Sequence, residues 1–137
     1  NSTYCRRAID WNLGFTISDA DLQSTSSNDE RWFGEQAFLA FDWCYSYMTA
    51  AERLTLITRW NGYNETLRLK QWGGPSMFAN NYHWGYLRNE LAWAITSHGE
   101  NASANTFFQD ALVTRWQNNF VPYGTTGAGV GGDRGAS

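Results

Sequence analysis

The stretch at residues 30–47, ERWFGEQAFLAFDWCYSY, decides the fold of this chain. Its apolar residues recur at spacings of three and four, and Gly34 is the only helix-weakening residue among them. Apolar residues spaced in this way lie along one face of an α-helix. The pattern therefore predicts a helix with an aromatic face made of Trp32, Phe33, Ala37, Phe38, Ala40, Phe41, Trp43, Cys44 and Tyr47.

A second helix is predicted directly after it. Thr49 and Glu52 are spaced as a capping box, in which hydroxyl and carboxylate satisfy free amides of the first helical turn. The apolar positions that follow are Leu54, Leu56, Ile57 and Trp60. So short a connection predicts that the two helices form an antiparallel hairpin.

Two further helices are predicted after a break at residues 71–76, QWGGPS. The third runs from residue 80 or 81 to 97 and stops at His98-Gly99, where Gly99 suits the left-handed position after a helix. The fourth runs from residue 102 or 103 to 120 and is closed by Val121-Pro122.

These elements predict an all-α fold of antiparallel helical hairpins, either a helical bundle or a section of an (α/α) toroid. Three regions are expected. Residues 1–28 read as an irregular N-terminal segment, residues 29–122 as the helical hairpin domain and residues 123–137 as a glycine-rich tail.

Composition narrows the class of protein. With 137 residues, 42% of them hydrophobic, the chain suits one globular domain, and no apolar run approaches the ~20 residues of a membrane span. A net charge of -3 and a pI of about 5.2 argue against a nucleic-acid partner. The chain opens at Asn1 without a methionine and ends in a glycine-rich run. We therefore expect a section of a larger protein.

Cysteines and glycosylation patterns bear on the compartment. Cys5 and Cys44 are the only cysteines, and they are either a disulfide or two buried thiols. Asn1, Asn64 and Asn101 each begin an Asn-x-Ser/Thr acceptor pattern, which permits an exported protein. We expect an extracytoplasmic location, periplasmic or secreted.

Metal and hydrolase chemistry have little support. His83 and His98 stand fifteen residues apart, and the chain has no Cys-x-x-Cys or His-Glu-x-x-His motif, so no metal and no cofactor are expected. A glycoside hydrolase would need two carboxylates across a cleft. The available acids, Asp42, Glu90, Asp110 and Asp133, have no spacing that singles out a pair.

Aromatic content favours carbohydrate as a ligand. The chain has 8 Trp, 7 Tyr and 8 Phe, about twice what an ordinary core needs, and sugar rings stack on aromatic faces. Most of these rings are expected to pack between helices. Trp72 and Trp84, beside polar or glycine-rich segments, are the better candidates for exposed platforms.

The densest chemistry lies at residues 80–88, where two amides, two phenols, an imidazole and an arginine occur together. On a helix Asn80 and His83 share one face, Tyr82 and Tyr86 a second, and Trp84 and Arg88 a third, so only part of the set can face one ligand. The simpler interpretation is that Asn80 or Asn81 caps the helix, His83 is half-buried with its hydrogen bonds satisfied, and Tyr86 belongs to the core.

This segment, NNYHWG at residues 80–85, is preceded by a Gly-Gly-Pro loop and followed by GGDRG at residues 131–135. It resembles the toroid domain of heparinase II/III-type and alginate-lyase-type polysaccharide lyases, in which an Asn-Asn-x-His or Asn-Asn-His-Gly segment lines the cleft. Residues 41–53 also look like a toroid hairpin of that group. The resemblance covers about residues 30–137.

The resemblance implies β-elimination at a uronate in an acidic polysaccharide. Asn81 or Asn80 would hold the uronate carboxylate, His83 would remove the proton, and Tyr82 or Tyr86 would protonate the leaving oxygen. Trp72 and Trp84 would stack on the sugar, and Arg88 and Arg134 would bind carboxylate or sulfate. For Arg88 the simpler interpretation is a surface salt bridge.

The alternative function is a non-catalytic module that binds carbohydrate or assembles with other copies of itself. Half a toroid leaves an exposed apolar edge, which self-association would cover. A homo-oligomer is therefore one of the partners that the sequence permits.

Overall fold

The computed structural model describes residues 1–24, 27–70, 74, 77 and 80–125, and all regular elements in these ranges are helical. The predicted all-α fold is confirmed. In chain order the elements are α1 (Ser2–Gly14), α2 (Asp19–Gln23), α3 (Asn28–Trp43), a 3₁₀ helix (Tyr45–Tyr47), α4 (Ala50–Arg68), α5 (Asn81–Thr96), α6 (Ala104–Gln109), a π-helix (Asp110–Phe120) and α7 (Val121–Thr125).

The predicted helix ends at α4 and α5 are confirmed. Thr49 and Glu52 form the reciprocal capping box at the start of α4, with the Thr49 amide donating to Glu52 Oε2 at 2.8 Å. Asn80 caps α5 by accepting from the Tyr82 amide at 2.8 Å. Gly99 has a φ of 97°, the left-handed conformation predicted for it.

The prediction of an irregular segment over residues 1–28 is wrong, because α1 and α2 lie within it. Tertiary contacts stabilise α1 where its own sequence pattern is weak. The Arg59 guanidinium of α4 donates to three carbonyls at the end of α1, those of Asn12, Leu13 and Phe15, at 2.8–3.0 Å. Distant residues thus satisfy groups that a helix end leaves unpaired.

The helices α1, α3, α5 and α4 follow one another around a ring, so α3 and α4 face each other across the core. The backbones of α3 and α4 are not close neighbours, so these two helices do not form the antiparallel hairpin predicted from the sequence. The 3₁₀ helix between them lets the chain cross over, and they meet through the edge of Phe38 on Trp60 at 4.9 Å. The second predicted hairpin, α5 with α6, does pack closely.

Aromatic rings fill the centre of this ring of helices. Phe38 and Phe41 of α3 pack against Trp93 of α5, with ring centroids 5.1 and 5.2 Å apart. The buried Asn12 of α1 joins three helices, because its amide donates to the Ala37 carbonyl at 2.8 Å and accepts from the Trp60 indole at 3.0 Å. The core therefore includes α1, which the sequence pattern had left outside it.

Two glycines set the close approach of α3 and α5. A Cβ at Gly34 would lie 2.6 Å from the Asn89 amide nitrogen, and one at Gly85 would lie 2.4 Å from Arg31 Cγ. Each helix thus uses a missing side chain to receive a side chain of the other. This crossing positions the polar residues of α5 described below.

The last helix continues beyond its predicted end. Residues 104–125 are helical throughout, so Val121-Pro122 does not close the helix as predicted. The change from π-helical to α-helical turns occurs at Val121, whose amide donates to the Trp116 carbonyl, so the chain stays helical past Pro122. Of the predicted tail at residues 123–137, residues 126–137 lie outside the described part of the chain.

The described part of the chain has no helix that is both long and apolar enough to cross a membrane.

Candidate functional site

The two amides proposed to hold a carboxylate lie at the beginning of α5. Asn80 is the N-cap residue, and its side-chain oxygen is occupied by the Tyr82 amide. Asn81 is the first residue of the helix and is half-buried. Tyr82 lies beneath Arg31 of α3, whose guanidinium carbon is 4.0 Å from the ring centroid. Asn80 thus has the capping role of the simpler interpretation.

His83, the proposed base, is fully buried. Its Nδ1 lies 3.1 Å from the Gly74 carbonyl oxygen, while Nε2 has no hydrogen-bond partner among the described residues. Burial, together with the charge of nearby Arg115, lowers the pKa of His83 to about 4. The imidazole is therefore neutral at neutral pH and is not exposed to solvent.

Trp84 is packed rather than presented as a platform. Its ring meets Phe120 edge to face at 4.8 Å and Trp116 at 6.2 Å, so the three rings join α5 to the π-helix. Trp72, the other proposed platform, lies outside the described residues.

Tyr86 and Arg88 point to different surroundings. Tyr86 is buried, its hydroxyl donates to the Ser27 carbonyl at 3.4 Å, and burial raises its pKa above the ordinary tyrosine value. Arg88 is exposed and pairs with Glu35 at 3.3 Å, as the simpler interpretation held. Arg134 lies outside the described residues. The structure does not bring Tyr86 and Arg88 to one surface with His83.

A buried ionic cluster lies beside His83, and the sequence analysis did not identify it. Arg115 of the π-helix is 1% exposed, and its Nε donates to Asp110 at 2.7 Å and lies 3.4 Å from the Glu90 carboxylate. Asp110 and Arg115 are five residues apart, the spacing of hydrogen-bonded residues in a π-helix. The wide π-helical turn therefore places the Arg115 guanidinium against both Asp110 and Glu90. The only sign of this cluster in the sequence is the five-residue spacing of Asp110 and Arg115.

Glu30 is a second buried acid, at the crossing of α3 and α5. Neither carboxyl oxygen has a hydrogen-bond partner in the described part of the chain, and the Asn89 amide donates to the main-chain oxygen of Glu30 at 2.8 Å. Burial raises the pKa of Glu30 to about 8, and the nearby Asn89 amide and the charges of Arg88 and Arg31 only partly oppose this. Glu30 is therefore mainly protonated at pH 7.

Replacing Glu30 by Gln should remove part of the pH dependence of stability. The raised pKa means that the folded chain keeps a proton that the unfolded chain has lost, so the stability of the parent falls as pH rises from about 4.5 to 8. We expect E30Q to be more stable than the parent by roughly 1–3 kcal/mol at pH 8 and nearly equal to it at pH 4.5.

Urea denaturation across this pH range measures the effect. Glu65→Gln, at an exposed acid on α4, is the matched control and should parallel the parent. His83 acts with the opposite sign between about pH 4 and 6.5, so the comparison is clearest above pH 6.5. An E30Q curve parallel to that of the parent would show that Glu30 is ionised throughout.

Among the described residues, no group of three or more His, Cys, Asp or Glu side chains could hold a metal ion.

The solvent face of α3 is apolar, and we call it the outer α3 face: Trp32, Gln36, Leu39 and Trp43. At about 100° per residue these four lie on one side of the helix, opposite the buried Ala37 and Phe41. Trp32 and Trp43 are 57% and 73% exposed. The prediction of a single aromatic face is therefore corrected, because Trp32 and Trp43 are exposed whereas Ala37, Phe38 and Phe41 are buried.

A cleft of about 420 Å³ opens at the end of this face. Most of its lining is apolar and comes from α1 and α3: Asn1, Tyr4, Cys5, Ala8, Gln36, Leu39, Ala40, Trp43 and Cys44. Tyr4, 70% exposed, and Trp43 are its prominent aromatic rings. Among the described residues, no charged side chain lines it. Such a cleft suits an apolar group better than an anion.

Cys5 and Cys44 are joined by a disulfide, which settles the alternatives that the sequence left open. The bond joins α1 to the residue that ends α3, and both cysteines line the cleft. It therefore holds together the two helices that form the cleft.

Two of the three glycosylation patterns are inaccessible in the fold. Asn64 is buried in α4 and donates to the Trp60 carbonyl at 2.9 Å. Asn101 is buried and donates to Asn61 and Ser97 at 2.8 and 2.9 Å. Asn1 is exposed.

Comparison with protein-family models, with curated proteins and with solved structures gave no match for this chain.

Proposed function

We propose that this chain is a non-catalytic assembly module that associates with a second copy of itself through the outer α3 face. The observation that supports the proposal most strongly is that α3 is apolar on two opposite sides, of which only one faces the core. An exposed apolar patch with polar residues beside it marks an interaction site. A partner surface would cover Trp32, Leu39 and Trp43.

The exposed area is large enough for such a contact. Tyr4, Trp32, Leu39 and Trp43 are 70%, 57%, 37% and 73% exposed. With about 150–250 Å² per aromatic side chain, they offer roughly 500 Å² of mostly apolar surface. A standard interface buries about 800 Å² per partner, so these side chains and their neighbours would supply most of it.

Polarity favours a protein partner over a sugar ring. A sugar brings many hydroxyl groups, which lose hydrogen bonds to water unless the site replaces them. The polar side-chain groups at the cleft are few: the Asn1 and Gln36 amides, the Tyr4 hydroxyl and the Trp43 indole nitrogen, and the Asn1 oxygen already accepts from the Thr3 amide at 3.0 Å. An apolar side chain needs no such replacement.

We also propose an extracytoplasmic location, supported by the Cys5–Cys44 disulfide. Disulfides form and persist in oxidising compartments and are rare where thiols are kept reduced.

Leu39→Glu tests the assembly function. The parent should form a concentration-dependent dimer in sedimentation equilibrium, whereas L39E should stay monomeric because a charge would be buried in an apolar contact. Leu54→Glu is the matched control, since Leu54 is 64% exposed on α4, and it should behave like the parent. A monomeric parent, or equal dimerisation of L39E, would contradict the proposal.

The second candidate is the polysaccharide lyase acting on a uronate polymer, with Asn81, His83, Tyr82 and Tyr86 as its catalytic residues. It is supported by Nε2 of His83, which has no hydrogen-bond partner among the described residues and, with Nδ1 facing the Gly74 carbonyl, carries the free lone pair of a neutral imidazole. Incubation with uronate polysaccharides tests it. Ultraviolet absorbance of an unsaturated product from the parent and not from His83→Ala would support the lyase, and no absorbance from either is expected of an assembly module.

A further inference from the structure

We infer that two copies pack their outer α3 faces antiparallel about a twofold axis, so that Trp32 of each copy enters the cleft of the other; this inference rests on the proposed self-association. The four residues of the outer α3 face are spaced symmetrically along the helix. Trp32, Gln36, Leu39 and Trp43 follow one another at intervals of four, three and four residues, which read the same in both directions.

This symmetry in spacing matches a twofold contact. A twofold interface brings the same patch of each copy together, so each residue contact occurs twice. When two antiparallel helices meet with the centre of the contact between Ala37 and Phe38, Trp32 of one copy lies opposite Trp43 of the other. Within one copy, Trp32 and Trp43 are about 16 Å apart along the helix. Gln36 lies opposite Leu39. Parallel packing would instead place each residue beside its own equivalent.

The cleft provides a receptor for Trp32. Trp43, Leu39 and Tyr4 line the cleft, whereas Trp32 lies on the same face but outside it. Antiparallel packing therefore brings an exposed indole over an apolar opening of about 420 Å³. Aromatic side chains in such pockets are the usual energetic centre of a protein interface.

A mixing experiment tests the orientation. Trp32→Ala and Trp43→Ala each remove both Trp32-to-cleft contacts of a homodimer, so each should raise the dimer Kd by roughly a hundredfold or more. A mixture of the two variants regains one intact contact, because Trp32 of the W43A copy meets the unchanged cleft of the W32A copy. We expect this heterodimer to be at least about tenfold tighter than either variant homodimer.

The result separates the inference from the proposed function. In parallel packing each variant would lose the contact of one tryptophan with its own equivalent, and mixing would restore neither contact. A parent that dimerises while the mixture shows no gain would overturn the antiparallel geometry and leave self-association standing. A monomeric parent would overturn both. Leu54→Ala on α4 is the control. Mixed with either variant, it should form a heterodimer whose free energy of dimerisation is the mean of those of the two homodimers.

Discussion

Replacing Arg115 by Met is expected to lower the free energy of unfolding by about 3–5 kcal/mol, the usual cost of leaving a buried ion pair with one partner. Arg115 is fully buried, lies between Asp110 and Glu90, and also donates to the Arg68 carbonyl. Met fills similar space without charge or donors, so the loss reports on the charge rather than on packing. Urea denaturation followed by circular dichroism measures it.

The control for this prediction removes an acid as well. In the double variant Arg115→Met, Asp110→Asn, the acid that Arg115 binds at 2.7 Å is neutralised as well, so part of the loss should be recovered. Arg53→Met is the control for a partly exposed pair, because Arg53 binds Glu100 at 2.9 Å near the surface, and it should cost about 1 kcal/mol or less. Equal effects of R115M and R53M would contradict a special role for the buried cluster.

Removing the disulfide by Cys5→Ala and Cys44→Ala is expected to lower the free energy of unfolding by about 2–4 kcal/mol. The bond closes a loop with a sequence separation of 39 residues, which restricts the unfolded chain considerably. It also attaches α1, whose own apolar pattern is weak. Hydrogen exchange should therefore show the greatest loss of protection in α1.

Two comparisons make this prediction specific. The free energy of unfolding of the parent in a reducing buffer should resemble that of the double alanine variant, because both lack the cross-link. The variant should also dimerise less well, since Tyr4 of α1 and Trp43 of α3 flank the cleft that the disulfide holds together. A stability loss below about 1 kcal/mol would show that the Arg59 and Asn12 contacts of α1 suffice without the bond.

Local sequence signals determined the helices that have strong caps and clear periodicity. The capping box at Thr49 and Glu52, the cap at Asn80 and the left-handed Gly99 are short-range features, so the sequence was enough to place them. The all-α fold follows from the same periodicity. In the segment at residues 80–88 the sequence also predicted the cap and the salt bridge of Arg88.

Helix packing determined which residues of the candidate site are buried. The sequence already offered a core position for Tyr86, whereas the full burial of His83 depends on how α5 meets α3 and the π-helix. The buried cluster of Glu90, Asp110 and Arg115 likewise exists only after the two helices pack. Long-range contacts of this kind leave little trace in local sequence patterns.

The sequence by itself determined where strong helices begin and that α3 carries apolar residues on two sides, because both depend on residues within one or two turns of each other. Only the tertiary structure decided which side of α3 is covered, that residues 1–28 become helical, and that Cys5 meets Cys44. Those outcomes depend on residues distant in sequence. They come together only when burial of the aromatic core offsets the conformational entropy of ordering the chain.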